Sequence, residues 1–141
     1  MSTQELATKL TEIRRLREET LEVLTQMSEA DFDIPTEMPR WTEVRRVLLR
    51  FGDHMREHAN QINGLRAATQ RDPTMPQRIL AESEIAWGLL LAAVVGLTDQ
   101  DLDAKPSDGG WSVREALDHI SKTEGSYLRV VQEARQTVKD D

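Results

Sequence analysis

The sequence predicts an all-α protein, a four-helix bundle built from two pseudo-symmetric helical hairpins. Three observations predict it. Apolar residues recur at helical spacing in four separate segments. Strand signals are nearly absent: β-branched runs are few, and no alternating stretch has useful length. Finally, two connecting segments repeat each other at an offset of 70 residues, half of the 141-residue chain.

The first helix follows from the stripe Leu6, Leu10, Ile13, Leu16, Thr20, Val23, Leu24 and Met27, opened by Ser2 and Glu5 at capping-box spacing. The second carries Val44, Val47, Leu48, Phe51, Met55, Ile62 and Leu65. Ile79, Leu80, Ser83, Ala86, Trp87, Leu90, Leu91 and Val94 make the third. Val113, Ala116, Leu117, Ile120, Tyr127 and Val131 make the fourth, with a capping box at Ser112 and Glu115.

The connections Met27–Trp41 (MSEADFDIPTEMPRW) and Leu97–Trp111 (LTDQDLDAKPSDGGW) share length and chemistry. Each leaves an apolar helix end, passes acid-x-Asp-apolar-Asp and crosses a proline. Each then lands on a Trp followed by a hydroxyl residue, Thr42 or Ser112, of N-cap type. The chain therefore divides into hairpins of about 1–70 and 71–141 within a single domain, 1–141, joined by TQRDPTMP. Long loops over one end of a bundle are suited to shaping a site. Trp41 and Trp111 fit the N′ position, where an apolar residue packs back on the first turn. Trp87 reads as core, and Asp99, Asp101 and Asp103 as a solvated turn without the Gly and bidentate Glu of a calcium loop.

Composition narrows the function. With no cysteine, disulfides, thiolate catalysis and Cys-type zinc sites are excluded. The longest apolar run, Ala86–Leu97, is 12 residues, short of the roughly 20 that a membrane helix needs. No secretory signal is visible, so a cytoplasmic location is expected. A net charge of −7 with dispersed basic residues argues against a nucleic-acid partner.

The chain has three histidines, two of them in FGDHMREHANQI. His54 and His58, four residues apart, share one helix face and continue the second apolar stripe, so both rings are expected to point into the bundle. His119 lies at the edge of the fourth stripe. A neutral imidazole pair at i, i+4 with a third from a facing helix makes a three-nitrogen site for zinc, nickel or iron(II), with positions open to water or substrate. The equally ordinary reading of these side chains is hydrogen-bonded boundary histidines. Glu57 completes an H-x-x-E-H pattern, but nothing else suggests a peptidase. Glu124 and Tyr127, near His119, read as surface or packing rather than as contacts to a ligand.

GGWSVREALDHISKTEGSYL resembles a helix of the DinB/YfiT-like superfamily of small metal-binding four-helix bundles. There a Trp-Ser-x-Arg-Glu opening precedes a metal-ligand His by eight residues, the spacing of Trp111 and His119. HMREHANQINGLR resembles the helix that supplies that family's H-x-x-x-H pair, matched here by His54 and His58. The two hairpins stand in exchanged order relative to the family, as a pseudo-symmetric bundle with neighbouring termini permits. The resemblance implies one divalent ion on His54, His58 and His119, and a thiol S-transferase or hydrolase acting on a small molecule such as a low-molecular-weight thiol. A homodimer is a further expectation. The alternative is a non-catalytic binding or dimerisation module with structural or vestigial histidines.

Overall fold

The computed structural model describes residues 3–140, with side chains described through Gln136. Four α-helices account for most of them: α1 Gln4–Leu24, α2 Val44–Ala68, α3 Met75–Ala93 and α4 Val113–Asp140. Short 3-10 turns, Glu29–Asp33 and Asp99–Asp101, precede α2 and α4. Among the described residues there is no strand, only an isolated antiparallel bridge between Pro35 and Glu43. The fold class is all-α with four helices, as the periodicity predicts. No helix among the described residues is long and apolar enough to cross a membrane.

The chain forms two units, Met1–Val95 and Gly96–Asp141. The first holds α1, α2 and α3; the second holds the Asp99–Asp101 turn and α4.

Helix ends follow local chemistry. Ser2 of the expected first capping box lies outside the described residues, and the N-cap of α1 is Thr3. Thr42 was expected to cap α2, but the N-cap is Glu43, one residue later. The cause is visible in the loop. Val44 N–H donates to the Ile34 carbonyl at 3.0 Å, Thr36 N–H donates to the Thr42 carbonyl at 2.9 Å, and the Thr36 hydroxyl donates to the Trp41 carbonyl. Backbone pairing with the loop runs past Thr42 and delays the helix. The Ser112–Glu115 box at α4 is formed as expected. Ser112 N–H donates to Glu115 Oε2 at 2.8 Å, and Glu115 N–H to Ser112 Oγ at 3.2 Å.

α2 ends in a Schellman motif. Arg71 N–H donates to the Arg66 carbonyl at 2.8 Å and Gln70 N–H to the Ala67 carbonyl at 3.2 Å. That geometry places Gln70 at φ 55°, the left-handed region, where glycine is the usual occupant. The turn is braced from both sides by Arg66 Nε on the Arg71 carbonyl and Arg78 Nε on the Pro73 carbonyl. Thr74 and Gln77 then cap α3, with Pro76 in its first turn.

No two α-helices of the first unit are in extended contact; α2 packs against the Glu29–Asp33 turn instead. Phe32 of that turn and Val44, Val47 and Leu48 of α2 are half-buried, as are Leu24 and Met27 at the end of α1 and just beyond it. Most of the remaining stripe residues are exposed, with Leu90, Val94, Val113, Ala116 and Leu117 half-buried, and Ser112 is the sole buried residue among those described.

Candidate functional site

Each loop is fastened to the helix that follows it. In the first unit, Asp31 accepts hydrogen bonds from the N–H (2.7 Å) and hydroxyl (3.0 Å) of Ser28. In the second, Asp101 accepts from the N–H (2.7 Å) and hydroxyl (2.9 Å) of Thr98. These bonds hold the Asp101 carboxyl below its ordinary pKa, the backbone bond from Thr98 most of all. Asp33 then pairs with Arg45 of α2 at 2.8 Å, and Asp103 pairs through both oxygens with Arg114 of α4 at 2.6 and 3.0 Å. The Arg114 guanidinium lowers the Asp103 pKa. Lys105 adds a second clamp on Glu115 at 2.6 Å. The repeated loops read from the sequence thus become repeated fastenings. The Ser28/Asp31 and Thr98/Asp101 pairs went unread in the sequence, although hydroxyl-x-x-acid spacing was their signal.

Both fastenings present a tryptophan to the new helix. The Trp111 indole meets the His119 imidazole edge-on, with ring centroids 4.8 Å apart. The Trp41 ring is met by the Arg50 guanidinium at 5.4 Å, with Arg40 at 5.5 Å. Counted from the helix starts, Val44 and Val113, Arg50 and His119 occupy the same place, six residues in. The first repeat carries a guanidinium where the second carries an imidazole.

Arg50 also reaches forward two turns to Glu57 with a two-pronged ion pair, at 2.6 and 2.5 Å. Its hydrogen bonds hold the Glu57 carboxyl below the usual range, with smaller contributions from Arg50's charge and from His54 and His58. Glu57 is therefore a bound carboxylate beside the histidine pair. A free general base, as the H-x-x-E-H pattern would require, is not what Arg50 leaves.

His54 and His58 come together as the i, i+4 spacing predicts. Their Nε2 atoms lie 2.9 Å apart and their rings cross at 84°. His58 Nδ1 lies 2.8 Å from Gln61 Oε1. The amide oxygen can only accept, so the His58 proton sits on Nδ1 and its Nε2 offers a lone pair toward His54. Two ligands of a tetrahedral ion at about 2.0–2.1 Å would stand ~3.3 Å apart, so a small rotation would admit a metal between them. Gln61 supplies the orienting contact that metal-bound histidines commonly have. Sequence reading missed it, although the i, i+3 spacing from His58 was available.

The expectation that these rings point into a covered interior is corrected. His54 and His58 are both exposed, because neither α1 nor α3 is in extended contact with α2. His119 is exposed as well, held by Trp111, with its Nε2 3.5 Å from the Thr123 hydroxyl. Among the described residues, no group of three or more His, Cys, Asp or Glu side chains is arranged to hold a metal ion.

The family model of the DinB superfamily matches residues 82–141. That stretch takes in most of α3, the second fastened loop and α4, with Trp111 and His119; it leaves out His54 and His58. Comparison with curated proteins and with solved structures gives no match.

Proposed function

We propose, from the premise that the chain is DinB-like over residues 82–141, that it binds one divalent transition metal ion and that the His54–His58 pair of α2 supplies ligands to it. The observation that carries this reading is the His54–His58 pair, whose Nε2 atoms converge to 2.9 Å while Gln61 fixes the tautomer. Two ring nitrogens that already converge on one point need only the ion to take the place of the hydrogen between them. His119, set against Trp111 within the stretch that matches the family, is the histidine that the resemblance names as a metal ligand of the second unit. Zinc, nickel and iron(II) all suit such a donor set.

When bound, the ion lowers the pKa of a water or a low-molecular-weight thiol, so that either serves as nucleophile at neutral pH. The chain's own residues orient that site. Gln61 holds the His58 ring, and Arg50 fixes the Glu57 carboxylate in the neighbourhood of both imidazoles. A transfer or hydrolysis reaction on a small molecule is the chemistry that follows, without nucleic acid or membrane.

The test is the metal content of the purified chain, measured by mass spectrometry beside a variant with all three histidines changed to alanine. Near-stoichiometric metal in the wild type and none in the variant is expected. Gln61→Leu should weaken binding by about 10–100-fold, as loss of an orienting partner does. A chain that takes up none of the three metals, with or without the histidines, would leave a non-catalytic helical module.

A further inference from the structure

Five polar residues interrupt the apolar face of α2. Arg50, His54, Glu57, His58 and Gln61 fall within about 100° of helix arc, counted at ~100° per residue, and Val47 and Leu65 lie inside the same arc. Hydrogen bonds sort the five into two groups. His54, His58 and Gln61 form one, joined through ring nitrogens and the Gln61 amide oxygen. Arg50 and Glu57 form the other, with each carboxylate oxygen taken by its own guanidinium nitrogen.

The two groups interleave along the helix. Arg50 reaches across the turn that carries His54 to find its partner on the next. Glu57 follows His54 by three residues, a spacing that sets side chains on one face a turn apart, and it adjoins His58. Both imidazoles interact electrostatically with its carboxylate. With them, Glu57 would complete a His-Glu-His donor set on a single helix. Yet no group of three such side chains is arranged for a metal among the described residues, and the carboxylate that would make the third is held by Arg50.

That hold has three supports. The pair is bidentate, the geometry in which guanidinium and carboxylate match best. The Trp41 ring backs the guanidinium at 5.4 Å. The Arg50 side chain is only 25% exposed, so it is less free to wander than an ordinary surface arginine. A lysine at this position would supply the charge without the fork.

We propose that Arg50 is a specificity-determining residue of the metal site: it withholds the Glu57 carboxylate from the ion on His54 and His58, and so keeps the donors of α2 all-nitrogen. The inference rests on the reading that this pair binds metal. Imidazole suits zinc, nickel and iron(II), whereas a carboxylate suits manganese(II), the weakest binder of the first-row divalent series at a nitrogen site. Arg50 therefore sets which ions the chain accepts.

Zinc affinity by calorimetry and manganese(II) affinity from loss of the free-ion EPR signal test this on the full chain. Wild type should bind zinc and leave manganese(II) free. Arg50→Met should tighten manganese(II) binding by about 10–100-fold, the range over which partners of metal ligands move affinity. Arg50→Lys, which keeps the charge and threatens the fold less, should give a smaller gain in the same direction. Adding Glu57→Gln to Arg50→Met should cancel the gain. On a wild type that binds zinc, unchanged or weaker manganese(II) binding in both Arg50 variants would overturn the inference and leave the metal reading standing. So would a gain that survives Glu57→Gln. If neither wild type nor variants take up either ion, both readings fall. A manganese(II) site that needs Glu57 and appears only when Arg50 is replaced, in a chain whose wild type binds no zinc, would uphold the withholding role and overturn the metal reading alone.

Discussion

The Trp111 indole and the His119 imidazole stand edge to face, 4.8 Å between centroids, and the indole belongs to a loop that is itself pinned to the start of α4. His119 is thereby oriented by a residue outside its own helix. An edge-on aromatic pair contributes about 0.5–1.5 kcal/mol beyond the area it covers. Trp111→Ala should therefore destabilise the chain by about 1 kcal/mol in urea titration, and Trp111→Phe by less. The same alanine variant should broaden the His119 ring resonances in NMR, which a loss of stability alone would not do.

Ser112 is 3% exposed, accepts from Glu115 N–H and donates its own N–H to the Glu115 carboxylate. Ser112→Ala should cost about 1 kcal/mol, the usual value for loss of an N-cap hydroxyl. Thr42→Ala, at the residue that resembles it in sequence, should cost less than about 0.5 kcal/mol, because Glu43 and not Thr42 is the N-cap of α2. Equal losses in denaturant melts would contradict the observed helix starts.

Gln70 holds a left-handed conformation that glycine adopts without a steric penalty. Gln70→Gly should raise stability by about 0.5–1 kcal/mol while leaving the helix content unchanged. Gln70→Val, β-branched at a positive φ, should lower it by more than 1 kcal/mol. Thermal melts followed by circular dichroism would read both.

Glu57, Asp101, Asp103 and Glu115 are all held below their ordinary pKa, by hydrogen bonds from Arg50, Thr98, Arg114 and Lys105 respectively. Their folded-state values lie below their unfolded ones. The stability they contribute is therefore fully present above the unfolded carboxylate pKa near 4 and is lost as pH falls through the folded values. Melting midpoints should be flat from pH 7 to about 5 and fall below about 4. The fall should be shallower in Asp103→Asn, which has one carboxylate fewer to protonate. All four groups are solvent-accessible, so added salt should weaken the effect.

The residues that made this chain legible are those whose partners lie close in sequence. The four helices follow from spacing, and the Ser112–Glu115 box and the His54–His58 pair follow from offsets of three and four. Thr42 failed as a cap because a competing partner, Ile34, sits ten residues from Val44 and prolongs the loop's backbone pairing. Gln70 was invisible because glutamine carries no signal for a left-handed turn; the Schellman bonds around it impose one. Burial was misjudged for the same class of reason. A periodic stripe tells which face of α2 wants cover, but whether a neighbour supplies it depends on elements far away in the chain. His54 and His58 were placed on the right face, and that face is exposed.

The ion pairs that fasten the two loops close very short rings. Asp33 reaches Arg45 twelve residues on, and Asp103 reaches Arg114 after eleven. Closing loops of that length takes only about 10–100 ns and little chain entropy, far less than bringing distant helices together. Each junction can therefore assemble before either helix meets a distant partner, as two separate nuclei that form early in folding. The sequence repeat would then be a kinetic device as well as an architectural one: the chain sets its two corners first and leaves the long helices to find their places afterwards.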